Sequence, residues 1–238
     1  MKKIALITGA NKGIGFETAR QLGALGVTVL VGARDKQRGA EAVEKLKAEG
    51  TDAHLIEIEP TDTASVKRAA AEVEKTFGAL DILINNAGVF FAEDRVAPAE
   101  VALDTLKKTF DLNVFGVHQV TTAFWSLLSR SPAARLVNVS SILGSLTLHA
   151  DGTLGDFKAL AYDASKAAVN MMTVHYAHQW KDTPHRANAI HPGSVLTDMN
   201  PQGELTVEQG AKTSVELATI GADGPQGGFF HLGKPLPW

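Results

Sequence analysis

The chain has 238 residues, 45% of them apolar and 21% charged, with a formal net charge of −3 at pH 7 and no cysteine. This is the make-up of an ordinary globular protein with room for one large α/β domain. It excludes a basic footprint for nucleic acid, a disulfide framework, thiolate metal sites, a cysteine nucleophile and a membrane helix, and the lack of cysteine fits a reducing, cytoplasmic setting.

In chain order, residues 4–7 read as a buried strand, and this apolar run after Lys2 and Lys3 is too short for a signal-peptide core. Residues 15–25 read as a helix, 27–31 as a strand and 35–49 as a charged helix. Strand 53–58, helix 62–77 and strand 81–85 follow. Residues 104–129 read as one long helix, 135–140 as a strand, 161–181 as a helix and 186–191 as a strand. A last helix spans 206–220, opened by Thr206 and Gln209 as a capping box, and the Gly/Pro-rich end holds a short strand near Phe229. The strands are continuous apolar runs, as expected where both faces are covered. Their alternation with helices predicts an α/β fold of Rossmann type. A doubly wound parallel sheet is flanked by helices on both faces in a single domain over residues 1–238.

The run Thr8-Gly9-Ala10-Asn11-Lys12-Gly13-Ile14-Gly15 leaves the first strand and opens the first helix. Glycines allow a tight turn and a close phosphate, and the helix start offers free N–H groups to a pyrophosphate. Gly9, Asn11, Lys12, Gly13, Ile14 and Gly15 are therefore candidate dinucleotide contacts. At the tip of the second strand, Arg34 offers a fork suited to a 2′-phosphate, and Lys12 is a second cation for the same group. Asp35 has two readings: a partner for a free ribose 2′-hydroxyl, favouring NAD, or the N-cap of the next helix. The cap is preferred, and with it NADPH over NADH.

Tyr162 precedes Lys166 by four residues, about one helical turn, so both side chains leave one face. A phenol titrates near pH 10 when free, and a nearby ammonium favours phenolate. Such a pair suits a reaction in which a carbonyl oxygen gains a proton while its carbon gains hydride. The other tyrosine, Tyr176, has Trp180 four residues on.

With Asn85-Asn86-Ala87-Gly88, Asn113, Ser140-Ser141 and His191-Pro192-Gly193 in order around these motifs, nearly the whole chain resembles the short-chain dehydrogenase/reductase family. Within it, Gly-Ala-Asn-Lys-Gly in the loop, Ala33-Arg34-Asp35 and the C-terminal tryptophan are most similar to the carbonyl reductases. The resemblance implies roles. Tyr162 would be the general acid/base, and Lys166 would lower its pKa and bond the nicotinamide ribose. Ser141 would orient the substrate oxygen, with Ser140 as its rival or as a group facing the coenzyme. Asn113 would hold a water linking the lysine to solvent. Asn86 and Gly88 would shape the ribose side of the site, and Thr197, after Pro192 and Gly193, would meet the carboxamide. The implied activity is NADPH-dependent reduction of a small-molecule ketone or aldehyde. An NAD-dependent alcohol dehydrogenase and a non-catalytic NADPH-sensing regulator are the alternatives.

Two departures stand out. Glu59 occupies the place where many family members carry an adenine-binding aspartate, with Asp62 as the alternative or as a helix cap. The interval from Ser141 to Tyr162 is longer than usual. An extended polar loop at about 142–160, with His149, Asp151, Gly152, Asp156 and Lys158, is expected near the substrate mouth. It would interfere with helix–helix dimerisation, which leaves homo-oligomer and monomer both open. A substrate loop and helix is expected at about 194–221. Phe90, Phe91, Leu143, Leu196 and Met199 are candidate pocket walls. His175 and His178 read as exposed or core-edge residues, and no metal site is expected.

Overall fold

Apolar runs without alternation become strands whose successive residues feed opposite faces of one sheet. In β1 (Ile4–Thr8) Ile7 enters one core and Leu6 the other; in β2 (Thr28–Ala33) Val29 and Leu30 divide in the same way. The protein is described from a computed structural model, over residues 2–156 and 159–238. After these strands and α1 (Gly13–Ala24) come α2 (Lys36–Ala48), β3 (Ala53–Glu57), α3 (Thr63–Phe77) and β4 (Ile82–Asn85). The second half holds α4 (Leu103–Phe110), α5 (Val117–Ser129), β5 (Arg135–Val139), α6 (Leu146–Ala150), α7 (Leu160–Gln179), β6 (Arg186–Ile190), α8 (Val207–Thr219), β7 (Phe229–His231) and β8 (Lys234–Pro235).

The strand order is β3-β2-β1-β4-β5-β6-β7-β8, parallel throughout except for the last pair. One core packs Leu22, Leu46 and Leu217 from α1, α2 and α8 on the sheet. The other packs Val73, Phe124 and Trp180 from the α3, α5 and α7 side. The strand order reverses direction between β1 and β4, which opens a crevice at the carboxyl ends of the strands, the usual ligand position in such sheets. Beneath that crevice runs a buried polar ladder. Asn85 Nδ2 donates to Thr121 Oγ1 and Asn138 Oδ1, both at 2.9 Å, and Asn138 Nδ2 donates to Thr173 Oγ1 at 2.8 Å. It ties β4 and β5 to α5 and α7.

Two expectations need correction. The helix expected over 104–129 is broken by a π-helical turn, Asp111–Gly116, between α4 and α5. The turn presses its last residue on Pro60: a Cβ on Gly116 would lie 3.1 Å from Pro60 Cβ. The segment expected as an extended loop at 142–160 is partly helical. A 3₁₀ turn, Ile142–Gly144, leads into α6, and fully buried Ser145 caps α6 by accepting from the Leu148 N–H at 3.2 Å. Lys158 lies outside the described residues. The Thr206–Gln209 capping box forms in both directions, at 2.9 and 3.3 Å.

Candidate active site

The loop from β1 into α1 has the backbone its glycines allow. Gly9 and Gly13 take φ of +67° and +58°, and a Cβ on Gly15 would lie 2.6 Å from the Gly9 carbonyl oxygen. Lys12 is the N-cap of α1 and no side chain caps the helix, so its first turn keeps free donors for an anion. Asn11 and Ile14 are half-buried on the same loop. Asn86 supports this loop from behind: its Nδ2 donates to the carbonyls of Thr8 and Gly9 at 2.9 and 3.3 Å. Thr8 completes the join, its Oγ1 accepting from the N–H groups of Asn86 and Ala87, each at 3.0 Å.

At the adenosine end, Asp35 is used as a helix cap, accepting from the Arg38 N–H at 3.0 Å. Exposed Arg34 stands 3.7 Å from Glu59. Asp62 caps α3 through the Ala64 N–H at 2.8 Å, whereas Glu59 accepts from the Thr61 N–H and hydroxyl. Lys12 Nζ lies 2.6 Å from Asp198, just after Thr197, in an ion pair between two exposed side chains. Across the cleft, Gly193 has φ +94° with Leu205 packed where a Cβ would stand, and half-buried Pro192 precedes it. The Thr197 methyl comes within 3.9 Å of a Cβ built on Gly13. The loop after β6 therefore faces the glycine loop.

Tyr162 and Lys166 sit on successive turns at the start of α7. Buried Lys166 sends Nζ to the Val139 carbonyl at 2.8 Å and stands 5.5 Å from the centre of the Tyr162 ring. A Cβ on Gly88 would lie 3.3 Å from Asn113 Oδ1 and 3.7 Å from Lys166 Nζ, so these three groups converge. Ser141 caps the turn after β5, accepting from the Leu143 N–H at 3.2 Å, and its hydroxyl neighbours the phenol. Ser140 does not face the crevice: it is buried and donates to the Lys166 carbonyl at 3.3 Å. Gly144 draws the turn onto α7, since a Cβ there would lie 2.6 Å from the Lys166 carbonyl carbon. His191 holds the turn from the other side, Nδ1 accepting from the Ile142 N–H at 3.2 Å. Burial, reinforced by His231, keeps His191 down at about 4, which leaves that nitrogen free to accept.

The Asn113 side chain is engaged with protein: Nδ2 donates to the Val89 carbonyl at 2.9 Å and Ser165 Oγ at 3.0 Å, and Oδ1 accepts from the Val89 N–H at 2.8 Å. It braces the segment after β4 against α7. The expected lowering of the Tyr162 pKa is reversed. Burial pushes the phenol up to about 12, with Ser141 pulling it down and Asp163 pushing it further up. Lys166 is itself desolvated, down to about 8, and spends a donor on Val139.

Thr8 and His191 open the glycine-loop and His-Pro-Gly motifs, but what they do shows only through long-range partners. Asp94 lies in no motif and bonds the backbone at Tyr162 from a different segment. Phe90, Phe91 and Leu143 are half-buried, while Leu196 and Met199 are exposed. His175 and His178 are exposed. Among the described residues no three His, Asp or Glu side chains gather as a metal site, and no helix is long and apolar enough to cross a membrane.

A switch-point crevice lined on one side by a glycine cradle and on the other by a Ser, Tyr and Lys cluster places the molecule in the Rossmann class. The family description "short chain dehydrogenase" matches residues 3–207, and the chain belongs to that family of oxidoreductases acting on CH–OH and C=O groups with NAD(P). It is 34% identical over a gapped alignment of 293 positions to Short-chain dehydrogenase/reductase 1 of Saponaria officinalis, covering 100% of this chain and 96% of the relative. It is 36% identical over 284 residues to a (+)-neomenthol dehydrogenase of Arabidopsis thaliana, covering 96% and 95%. The crystal structure of NADPH-bound carbonyl reductase from chicken fatty liver superposes with a TM-score of 0.87 at 29% identity, covering 100% of this chain and 99% of the other.

Proposed function

We propose that this protein is an NADPH-dependent carbonyl reductase, converting a small ketone or aldehyde to an alcohol. The observation that carries the reading is the convergence of Ser141, Tyr162 and Lys166 with Gly88 and Asn113 at the sheet's switch point, opposite the glycine cradle. The residues fit a dinucleotide. Gly9, Gly13 and Gly15 leave a cradle that side chains would fill, and the uncapped start of α1 offers donors to a pyrophosphate. Arg34 is exposed at the tip of β2, while Asp35 is turned into a cap and withheld from a ribose hydroxyl, which favours a 2′-phosphate. Lys166, Asn86, Gly88, Pro192, Gly193 and Thr197 are the proposed neighbours of the nicotinamide half.

When bound, NADPH supplies the hydride. The chain's own part is to place and protonate. A phenol titrating at about 12 is neutral throughout the physiological range, the form in which Tyr162 can give its proton to a carbonyl oxygen. Ser141 Oγ donates a hydrogen bond to the same oxygen and stabilises the charge that develops there. Lys166, held by Val139, keeps a cation beside the ring as phenolate forms. Resemblance to a neomenthol dehydrogenase and to a carbonyl reductase supports a small-molecule carbonyl as substrate.

The test follows coenzyme absorbance with a panel of ketones and aldehydes, and runs neomenthol with NADP⁺ in reverse. Turnover with NADPH is expected to exceed that with NADH by about tenfold or more, the worth of one charge-assisted contact. Tyr162→Phe is expected to lower kcat by at least about 10²-fold while NADPH affinity stays within about twofold. Persistent turnover in that variant would overturn the assignment of the proton donor, and a preference for NADH would remove Arg34 from its role.

A further inference from the structure

The first N–H groups of a helix usually find their acceptor in the side chain of its own N-cap residue. At α7 that residue is Ala159, and no capping side chain serves the helix locally. The acceptor arrives from a segment almost seventy positions earlier. Asp94, 1% exposed, accepts from the Ala161 N–H through Oδ1 at 3.0 Å and from the Tyr162 N–H through Oδ2 at 2.9 Å. The same segment also reaches the Tyr162 side chain. The Phe90 ring meets the phenol ring edge-on, centroids 5.4 Å apart at 90°, and the Arg95 guanidinium lies 5.2 Å from the Phe90 centroid. At the other end, both backbone polar groups of Val89 bond the Asn113 side chain.

We infer that Asp94 is the positioning residue of Tyr162, and that residues 89–95 form a clamp which fixes where the phenol points. The inference rests on the proposal that Tyr162 is the proton donor. A cap whose only purpose was stability could come from the side chain of residue 159 itself. Here a separate segment supplies a buried carboxylate, close enough to Asp163 to disfavour ionisation there. What the arrangement gains is rigidity at the residue whose hydroxyl must meet a carbonyl oxygen. Misplacement of a reacting group by about 1 Å costs on the order of 10²-fold in rate. Phe90 gives the clamp a second consequence: a substrate that packs on this half-buried ring presses on the wall that orients the proton donor.

The test uses the full chain with Tyr176→Phe, which leaves Tyr162 as the one tyrosine of the two, so that tyrosinate ultraviolet absorbance reports this phenol alone. In that background Asp94→Ala is expected to open the first turn of α7 to water and move the phenol's titration down towards its ordinary value of about 10. In the otherwise native chain the same substitution is expected to lower kcat by roughly 10–10²-fold, with NADPH affinity and KM for the ketone within about twofold. Asp94→Asn, which keeps one acceptor oxygen, should restore part of both. An Asp94→Ala protein that only melts at lower temperature, with kcat and phenol titration unchanged, would make Asp94 a simple cap and overturn the inference. If Asp94→Ala does not fold, Asp94→Asn and Phe90→Leu carry the same two measurements, and no change in either again overturns it. If the native chain reduces no carbonyl, the proposed function falls, while the phenol titration and hydrogen exchange at the Tyr162 amide still decide whether Asp94 holds this turn.

Discussion

Asp163, the neighbour of Tyr162, is a largely buried acid. Among the described residues its Oδ1 has no hydrogen-bond partner, His149 Nε2 stands 3.5 Å from Oδ2, and burial pushes the carboxyl up to about 7. Between the ordinary aspartate range and that value the folded chain binds the extra proton, so this group costs stability as pH rises from about 4 to about 7. Asp163→Asn removes the cost. Thermal melts are expected to show little difference from the native chain near pH 4.5 and a gain that grows to the order of a few kcal/mol by about pH 8; a gap that does not change with pH would contradict this. At this scale the sequence is legible where the partner is local. Tyr162 and Lys166 share a face because helical period is a short-range property, and Asp35 and Asp62 sit where caps sit. Asp94, Thr8 and His191 act on residues far along the chain, so no spacing reveals them. The direction of the Tyr162 shift was illegible for a related reason. Proximity of an ammonium can be read from a helical turn, but its desolvation and its bond to the Val139 carbonyl cannot.

Among the elements, the π-helical turn between α4 and α5 matters most to the site, because it carries Asn113. Such turns recur at functional positions in helices. Removing the amide with Asn113→Ala strands the N–H and C=O of Val89 together, and leaves Ser165 short of a donor. A loss of roughly 2–4 kcal/mol is expected from the unpaired groups, seen as a lower urea midpoint at unchanged slope. The apolar pattern over 104–129 reads as one helix because a single extra residue per turn hardly disturbs a window of that length. The short α6 was hidden by its composition: five residues are too few for a period, and Ser145 reads equally as a loop serine or as a cap. Helices α2, α3 and α8 were legible because each pairs an amphipathic stripe with a capping residue, Asp35, Asp62 and Thr206, and the left-handed Gly78 stops α3.

For the molecule as a whole, strand–helix alternation was enough to foresee the parallel sheet and its crevice, since right-handed crossovers leave few other arrangements. The antiparallel β7–β8 pair could not be foreseen, because two strands of three and two residues in a Gly/Pro-rich stretch carry almost no pattern. This hairpin delivers Trp238 to α6. The Trp238 carbonyl accepts from the Thr147 N–H at 2.8 Å, and the indole stacks on Phe229 with centroids 5.6 Å apart. Trp238→Ala is expected to raise hydrogen exchange across residues 146–150 several-fold while the amides of α7 keep their protection; equal protection in both proteins would mean that the hairpin does not restrain α6. Gly144 marks the border of what can be rebuilt. Because its missing side chain lets the turn lie flat on the Lys166 backbone, the segment that carries Ser141 packs directly on the helix that carries Tyr162. A designer exchanging the neighbouring segment for that of another reductase should make the cut beyond residue 144. A graft starting earlier would carry new specificity into a broken catalyst.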